Sequence, residues 1–571
     1  MILFQFEGKD LYFGNPIQVI ETYHINEVKQ KLAEVEQAVA MGYYAAGFLT
    51  YEASAAFHSL TNIHKSSMPL LWFAIFSEPS AKNLPDTEQS FSISNWSPTI
   101  SYHEYQEKIA MIHQEIKQGN TYQINYTQRL RASFSGEPFA LYQKLVKAQK
   151  GNYSAFINTG KHHILSISPE LFFKQDGSLL TTKPMKGTCL RGRNQAEDEA
   201  QRQWLFDSEK NRAENLMIVD LLRNDIGKIA EIGQVAVPKL FEIEEYPTVF
   251  QMTSTITAQL KRNISYAELF ESLFPSGSVT GAPKLNSMKL IATLESEARE
   301  VYCGAIGYFT PDNKAVFNVP IRTCWIDSET KVAEYSIGGG ITWDSDAQEE
   351  FQECFAKAKI LTKAHTDFEL LESLRLENGQ FPLLHFHLER LAKSARFFKI
   401  AIDFIKLKQK LTGLADFYPH GLHKVRILID HSGKTTLECL AIKETVETKS
   451  VYLAQMPIIS QNDFLYHKTT NRDLFRPFQK EGFFDCLLWN EKEEITEFTT
   501  GNVVLQMSGE LLTPPLSCGL LPGVMRESLL RKKIIKEQTV TLNQLKQVDK
   551  IWYVNSVRGW VEVQLRRHLN D

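Results

Sequence analysis

At 571 residues the chain is too long for a single hydrophobic core and is expected to fold as two or three domains. Its 43% hydrophobic and 23% charged residues fit a soluble globular protein, and a net charge of -4 excludes the basic footprint of a nucleic-acid binder. Seven cysteines with no CxxC pair point to a reduced, cytoplasmic setting; Met1–Glu7 lacks the basic flank of a signal peptide, and no run of 18 apolar residues predicts a membrane span.

Residues 1–80 mix short apolar runs with helical stretches such as His24–Met41. Residues 81–100, rich in Ser, Pro and Asn, read as a surface loop. A helix is expected over 103–118, with Tyr105, Ile109, Ile112 and Ile116 on one stripe and Gly119-Asn120 as its stop. Strand-like runs follow at Tyr122–Leu130, His163–Ile167, Ala305–Phe309, Ala315–Ile321 and Lys331–Ile337. The helix Ala347–Thr362 closes this part. A fresh pattern starts at Asp367, with a strand through Leu370, Leu371, Leu374 and Leu376, a turn at Glu377–Gln380, and a helix over 387–398. The boundary is placed near 362–366, giving domains over 1–362 and 366–571 with no low-complexity linker.

Within 120–360 several polar groups stand out. Glu170 follows an apolar strand, Glu214 opens an apolar helix, and Glu350 and Glu353 are three apart and so share one helix face. Three glutamates from two helices, Glu214, Glu350 and Glu353, form a donor set for a hard divalent cation such as Mg2+. Taken singly, each is equally a solvated helix face. Pro275–Lys284, which contains Thr280 and Lys284, and the run Gly338-Gly339-Gly340 have the glycines that let backbone amides approach an anion, or are simply tight turns. No GxxxxGK[ST] pattern is present, so a nucleotide is not favoured. Arg322 ends a strand and can grip a carboxylate or sit on the surface. Lys186 lies on a short turn beside an Arg/Gly-rich loop and is a nucleophile only if its surroundings depress its pKa.

Ser168-Pro169-Glu170, Lys183–Gly192, Glu214–Gly227, Pro275–Lys284, Cys303–Tyr308, Ile321-Arg322-Thr323 and Gly338–Glu353, taken in order, resemble the chorismate-utilising enzyme family across roughly 100–360. The resemblance implies an α/β sandwich that binds chorismate. It implies that anthranilate synthases carry Ala at the position of Lys186 and that isochorismate-forming members carry a base lysine near Gln123. Lys186 with Gln123 therefore implies amination at C4. On that footing Glu214, Glu350 and Glu353 hold Mg2+. Arg322, Tyr308, Thr280, Lys284 and the Gly338–Gly340 amides bind substrate. Glu170 protonates the leaving hydroxyl, and Lys186 attacks C2. The family's Val-x-His segment reads Val249-Phe250-Gln251 here, which removes any acid–base role at Gln251. No Cys/His/Glu glutaminase set is visible, so ammonia is expected from a separate glutamine amidotransferase subunit.

Residues 367–571 carry Arg390 on a helix, Lys468 after Phe464–His467, Glu497 before Thr499-Thr500-Gly501-Asn502, and the turn Cys518–Arg526 opening a helix. These resemble the class-IV aminotransferase family, the fold-type IV pyridoxal-phosphate enzymes. The resemblance implies an α/β domain in which Lys468 forms the Schiff base with pyridoxal 5'-phosphate and Glu497 pairs with its pyridine nitrogen. Arg390 and the amides of Val524 and Met525 hold its phosphate, and Ser556, beside Asn555, closes the cup. Fusion to a C4-aminating half implies elimination of pyruvate to give 4-aminobenzoate. The competing readings are an amino-acid transaminase in the second half, an anthranilate-synthase-like first half, or a regulatory protein with decayed sites. The whole chain is thus expected to be α+β.

Overall fold

The computed structural model describes residues 1–60, 63–80, 90–148, 151–192, 195–246, 249–362, 368–442 and 449–566. The chain forms two compact units, Met1–Leu190 with Gln201–His365, and Arg191–Ala200 with Thr366–Asp571. Residues 363–366 of the expected boundary lie outside the described residues. The excursion of Arg191–Ala200 into the second unit has no counterpart in the sequence reading.

In the first unit the described strands form two ten-stranded antiparallel sheets. One contains Gln123–Gly136 beside Val332–Ile341, and the other contains Met185–Leu190 beside Val249–Leu260. Ile2, Phe4 and Ile164 of the first sheet share an apolar cluster with Phe48, Trp72 and Ile306 of the second, so the sheets pack face to face. Period-2 alternation of apolar residues places these side chains on one face of each strand. Each fully buried aromatic or aliphatic side chain in such a cluster contributes about 1.5–3 kcal/mol.

Helices cover the sheets where their sequences carry both stripe and cap. Tyr102–Lys117 buries Tyr105, Ile109 and Ile112, and Ser101 with Glu104 makes a reciprocal capping box at its start. This is the helix expected over 103–118. The stretch His24–Met41 resolves into a short 3-10 turn, Ile25–Glu27, and the helix Val28–Ala40. Of the expected loop 81–100, residues 81–89 lie outside the described residues. The remainder carries two short strands, Phe91–Ile93 and Ser97–Pro98, that pair with Gln123–Gly136. Their Ser-rich composition masked a pairing that the neighbouring long strand supplies.

In the second unit, Leu370–Glu377, Leu422–Ile429 and Thr435–Ala441 form a three-stranded antiparallel sheet. Leu370, Leu374 and Leu376 pack with Leu391 of the helix Leu384–Phe397 and with Leu407 and Leu411 of the helix Phe404–Phe417. The helix expected over 387–398 thus starts three residues earlier. Eight further strands form a second sheet, in which the single pair Glu497↔Asn502 closes six of them into a ring. Among the described residues no helix is long and apolar enough to cross a membrane.

Candidate active sites

Lys186 lies on the strand Met185–Leu190, where the register against Val249–Leu260 shifts between Met185 and Thr188. Such a bulge re-aims a side chain. Gly187 adopts φ 92° within it, and a Cβ there would sit 3.0 Å from the Asn211 Cβ. Gln251 braces the bulge from the neighbouring strand. Its Oε1 accepts from Thr188 Oγ1 at 2.9 Å and its Nε2 donates to the Gly187 carbonyl at 3.1 Å. Asn215 donates to the Lys186 carbonyl at 3.4 Å while its own Oδ1 accepts from Ser254 at 2.6 Å. Gln251 therefore braces Gly187 and Thr188, the two residues after the lysine, with both ends of its amide.

The Lys186 amine is surrounded by charge. Burial lowers its pKa; Glu214 pulls it back up, Lys357 pushes it down, and Glu170 and Glu353 raise it. A Cβ on Gly340 would lie 2.8 Å from the Lys186 Nζ and 3.2 Å from the Gln123 Cδ, with Gln123 Nε2 nearer still. Lys186, Gln123 and Gly340 therefore meet at one point. Gln123 is buried, and its Oε1 has no hydrogen-bond partner among the described residues, which leaves an acceptor for an incoming group.

Glu170 is buried at the end of the strand His162–Ser168. Burial pushes its carboxyl up to about 7, against the Ser278 hydroxyl, which donates to Oε1 at 2.6 Å, and against the charge of Lys186. Ser278 belongs to the Pro275–Lys284 run, so that glycine-rich turn serves the carboxyl. Thr280 is fully buried, and its hydroxyl bonds back to the Ser276 and Gly277 carbonyls at 3.2 and 3.3 Å. Its carbonyl accepts from Asn125 at 2.8 Å.

The glycine run lies against the helix Ala347–Thr362. A Cβ on Gly339 would be 3.2 Å from the Glu350 Oε2 and 3.7 Å from the Lys357 Nζ, and one on Gly338 would be 2.8 Å from the Thr127 Cγ2. Lys357 donates to the Gly338 carbonyl at 3.0 Å and pairs with Glu353 at 2.8 Å. Glu350 accepts from Ser345 at 2.7 Å. Glu350 lies against the glycine run and Glu214 and Glu353 act on the Lys186 amine, but the expected three-glutamate metal centre is not preassembled. Among the described residues no group of three His, Cys, Asp or Glu side chains is spaced to hold a metal ion. The carboxylates have the right chemistry for Mg2+; their spacing, with Glu353 engaged by Lys357, does not fit it. Lys357 is the residue that sequence reasoning missed. It lies four residues after Glu353 and seven after Glu350, on the same stripe.

Two substrate-binding expectations are corrected. Tyr308 stacks on Phe6 at 5.8 Å and tilts against Phe4 at 5.2 Å, because strand alternation turns it with Ile306 into the cluster between the sheets. Lys284 pairs with Asp225 at 3.0 Å and donates to the Leu273 carbonyl at 2.9 Å, which commits it to the helix Glu209–Gly227. Arg322, with φ 53°, is set among Tyr335, Tyr246 and Tyr302. Tyr302, immediately before the run that holds Tyr308, is one of the tyrosines beside that guanidinium.

In the second unit one pocket collects Lys468, Glu497, Arg390, Val524, Asn555 and Ser556. The Lys468 carbonyl accepts from Leu371, tying its loop to the three-stranded sheet. Burial, then Arg390 and Arg472, push the Lys468 amine down to about 7 against the pull of Glu372 and Glu497. Glu497 sits at the ring-closing pair, where burial raises its carboxyl to about 8. Asn502 and the Leu521 amide each donate to it at 3.2 Å. Arg390 is held by Glu372 through Nε at 2.8 Å and Nη2 at 2.6 Å, and by the Pro522 carbonyl at 3.2 Å. Burial pushes Glu372 up, but Arg390 and His387 more than offset this and hold it at about 2.

Gly523 caps the helix Val524–Arg531, and a Cβ there would lie 2.9 Å from the Asn502 Cγ. The Val524 and Met525 amides open that helix; the Met525 side chain packs with Val504, Leu529 and Val554. Ser556 donates to the Ser373 carbonyl at 3.1 Å. A lysine with its pKa lowered to near neutrality, a buried carboxyl and a glycine-capped helix end fit a cofactor with an aldehyde, a pyridine nitrogen and a phosphate. Arg472, in the same pocket with Nη2 on the Thr499 carbonyl, was missed in the sequence.

Residues 5–363 match the family described as chorismate binding enzyme, and residues 369–565 match amino-transferase class IV. The chain is 39% identical over 277 residues to aminodeoxychorismate synthase component 1 of Escherichia coli (strain K12), covering 48% of this chain and 61% of that one. It is 32% identical over 304 residues to the protein of the same name from Bacillus subtilis (strain 168), covering 53% and 63%. The matched region thus spans about three fifths of those relatives. Anthranilate synthase component I from Streptococcus pneumoniae TIGR4 superposes with a TM-score of 0.55 at 26% identity, covering 62% of this chain and 91% of that one.

Proposed function

The chain belongs to the chorismate binding enzyme family, and on that premise we propose that it makes 4-aminobenzoate in two steps. The first unit aminates chorismate at C4, and the second eliminates pyruvate from the product. The observation that carries the proposal is the convergence of Lys186, Gln123 and Gly340 beside the buried Glu170.

The Lys186 amine, made less basic by burial, attacks C2 of the ring. Both ring double bonds shift by one position and the C4 hydroxyl departs. Glu170, with its carboxyl near 7, supplies the proton that lets it leave as water. Ammonia then bonds to C4, the double bonds shift back, and the Lys186 amine leaves C2. Arg322 and the Gly338–Gly340 backbone are assigned to the substrate's carboxylates. Glu214, Glu350 and Glu353 as they stand do not form a Mg2+ site, with Glu353 held by Lys357, so no step of the amination is routed through a metal. Two relatives are called component 1, which supports a separate glutamine amidotransferase subunit as the ammonia source.

In the second unit, Lys468, Glu497, Arg390, the Val524 and Met525 amides and Ser556 are assigned to hold pyridoxal 5'-phosphate. When bound, that cofactor supplies an electron sink at C4 of the aminated substrate. Lys468, returned as the free amine, takes the C4 proton. The electrons left at C4 would form the C3–C4 double bond, the C3–oxygen bond would break, and the enolate would take up a proton to leave as pyruvate while the ring becomes aromatic. Glu497 keeps a proton available beside the pyridine nitrogen. Seven cysteines with no CxxC pair fit a cytoplasmic setting.

The test is incubation with chorismate, Mg2+, ammonium and pyridoxal 5'-phosphate, followed by identification of products. Pyruvate and 4-aminobenzoate in equal amounts, without any 2-oxo acid added, are the expected result. A Lys186→Ala variant should lose formation from chorismate yet still release pyruvate from supplied aminodeoxychorismate. Retention of the chorismate reaction in that variant rules out the nucleophile.

A further inference from the structure

The face of the three-stranded sheet that bears Ser373 carries more positive charge than a cofactor phosphate needs. Ser373 lines the pocket of Lys468. On that face its neighbours are Arg375, two residues along the strand, and Arg426 and Lys424, which stand opposite Ser373 and Arg375. Arg375 donates to the Val557 carbonyl at 3.3 Å, and Val557 lines the same pocket. The next residue, Arg558, has its amide on the Asn555 Oδ1 at 2.7 Å and its guanidinium 5.1 Å from the Phe484 ring centroid.

These four cations are unequally matched. Arg375 is paired with Glu377 at 2.9 Å and Arg426 with Glu438 at 2.6 Å. Lys424 and Arg558 have no ion pair to a carboxylate among the described residues. Lys424 is half-buried, and its amine is made less basic by burial and then by Arg426 and Arg558, against a weaker pull from Glu438. Cations that neighbour a pocket's lining residues, here Ser373 and Val557, and lack their own counter-ions are ready for an anionic ligand.

We propose that Lys424 and Arg558, backed by Arg375 and Arg426, form a carboxylate-binding rim that admits a cyclic dicarboxylate to the second site. This rests on the pyruvate-eliminating reading above and specifies its substrate. Aminodeoxychorismate carries a ring carboxylate and an enolpyruvyl carboxylate, and it must enter a cleft already assigned to a phosphate dianion. Without the rim those negative charges repel one another across one pocket. The rim also disfavours ordinary monocarboxylate amino acids, which bring one negative charge where the site offers two open cations.

The test uses the full chain loaded with pyridoxal 5'-phosphate and variants Lys424→Met, Lys424→Arg and Arg558→Ala. Pyruvate release from aminodeoxychorismate should show KM raised roughly tenfold or more in Lys424→Met and Arg558→Ala with kcat nearly unchanged, the size expected for losing one charge-assisted contact. Lys424→Arg should restore a KM near that of the parent, which a merely structural lysine would not require. The bound-cofactor absorbance should be the same in all forms. An unchanged KM in both charge-removing variants overturns the rim. If the parent itself releases no pyruvate, the lyase reading fails instead. Chorismate, titrated without ammonia against the cofactor absorbance, then still reads the rim. Weaker binding in Lys424→Met supports it, and equal binding overturns it.

Discussion

Replacing Gly340 by alanine is a sharp perturbation of the first site. The added Cβ would stand 2.8 Å from the Lys186 Nζ, and closer to the Gln123 amide nitrogen. Ordinary contact is about 3.5 Å, so the amine must retreat by about 0.7 Å and Gln123 by more. Gln123 is buried and has little room to yield. A displacement of about 1 Å at a reacting group costs roughly a hundredfold, and each tenfold is about 1.4 kcal/mol, so amination should fall roughly thirty- to a hundredfold, or about 2–2.7 kcal/mol of barrier. The cost to folding should stay within the roughly 1–3 kcal/mol typical of overpacking. The assay compares 4-aminobenzoate formed from chorismate and ammonium with pyruvate released from supplied aminodeoxychorismate. Only the first should drop, and adding Gln123→Ala to the variant should reopen space for the lysine. A Gly340→Ala protein that aminates chorismate at the parental rate refutes the placement of Lys186 against this glycine.

Glu170→Gln should lose roughly a hundredfold or more in amination, as removal of a general acid does. Ser278→Ala removes a donor that favours the ionised carboxyl, so the Glu170 pKa should rise above its present value of about 7. Because the acid must be protonated to act, the alkaline fall in kcat/KM should move to higher pH, read from a pH–rate profile. Lys468→Ala should abolish the visible absorbance of covalently held cofactor and let the C4-amino product accumulate. Capture of added cofactor by the cofactor-free protein needs the neutral Lys468 amine, and so should accelerate as pH rises through about 7. In Arg472→Gln one positive neighbour is gone, the amine becomes more basic, and that midpoint should move up; an unmoved midpoint counts against the electrostatic role of Arg472.

The sequence was most legible where chemistry and backbone demand coincide. Glu170, Lys186 and the Gly338–Gly340 run stood out by motif, and their approach depends on glycines where a Cβ would crowd Glu350, Lys186 and Gln123. Tyr308 and Lys284 were misplaced for a common reason. A residue type within a motif says nothing about which way its strand or helix turns it. Alternation carried Tyr308 into the apolar cluster between sheets, while Tyr302, in the turn before that strand, lies beside Arg322. Helix geometry gave Lys284 to Asp225. Lys357 was readable from its spacing after Glu353 but carried no catalytic pattern of its own. Arg472 follows Lys468 by four residues in a loop, where no periodicity predicts direction. The strands at Phe91–Ile93 and Ser97–Pro98 exist because Gln123–Gly136 offers an edge, a long-range fact absent from their own residues.

The bulge between Met185 and Thr188 makes the first site sensitive to counting. Along a strand, side chains change sides with every residue, so removing one residue there would turn Lys186 to the opposite face while leaving every catalytic side chain in the gene. Substitutions at Thr188 or Cys189 would be mild by comparison. Length, in this short stretch, is therefore under tighter restraint than composition, and a one-codon deletion of Gly187 should silence amination in a protein that still folds and still releases pyruvate.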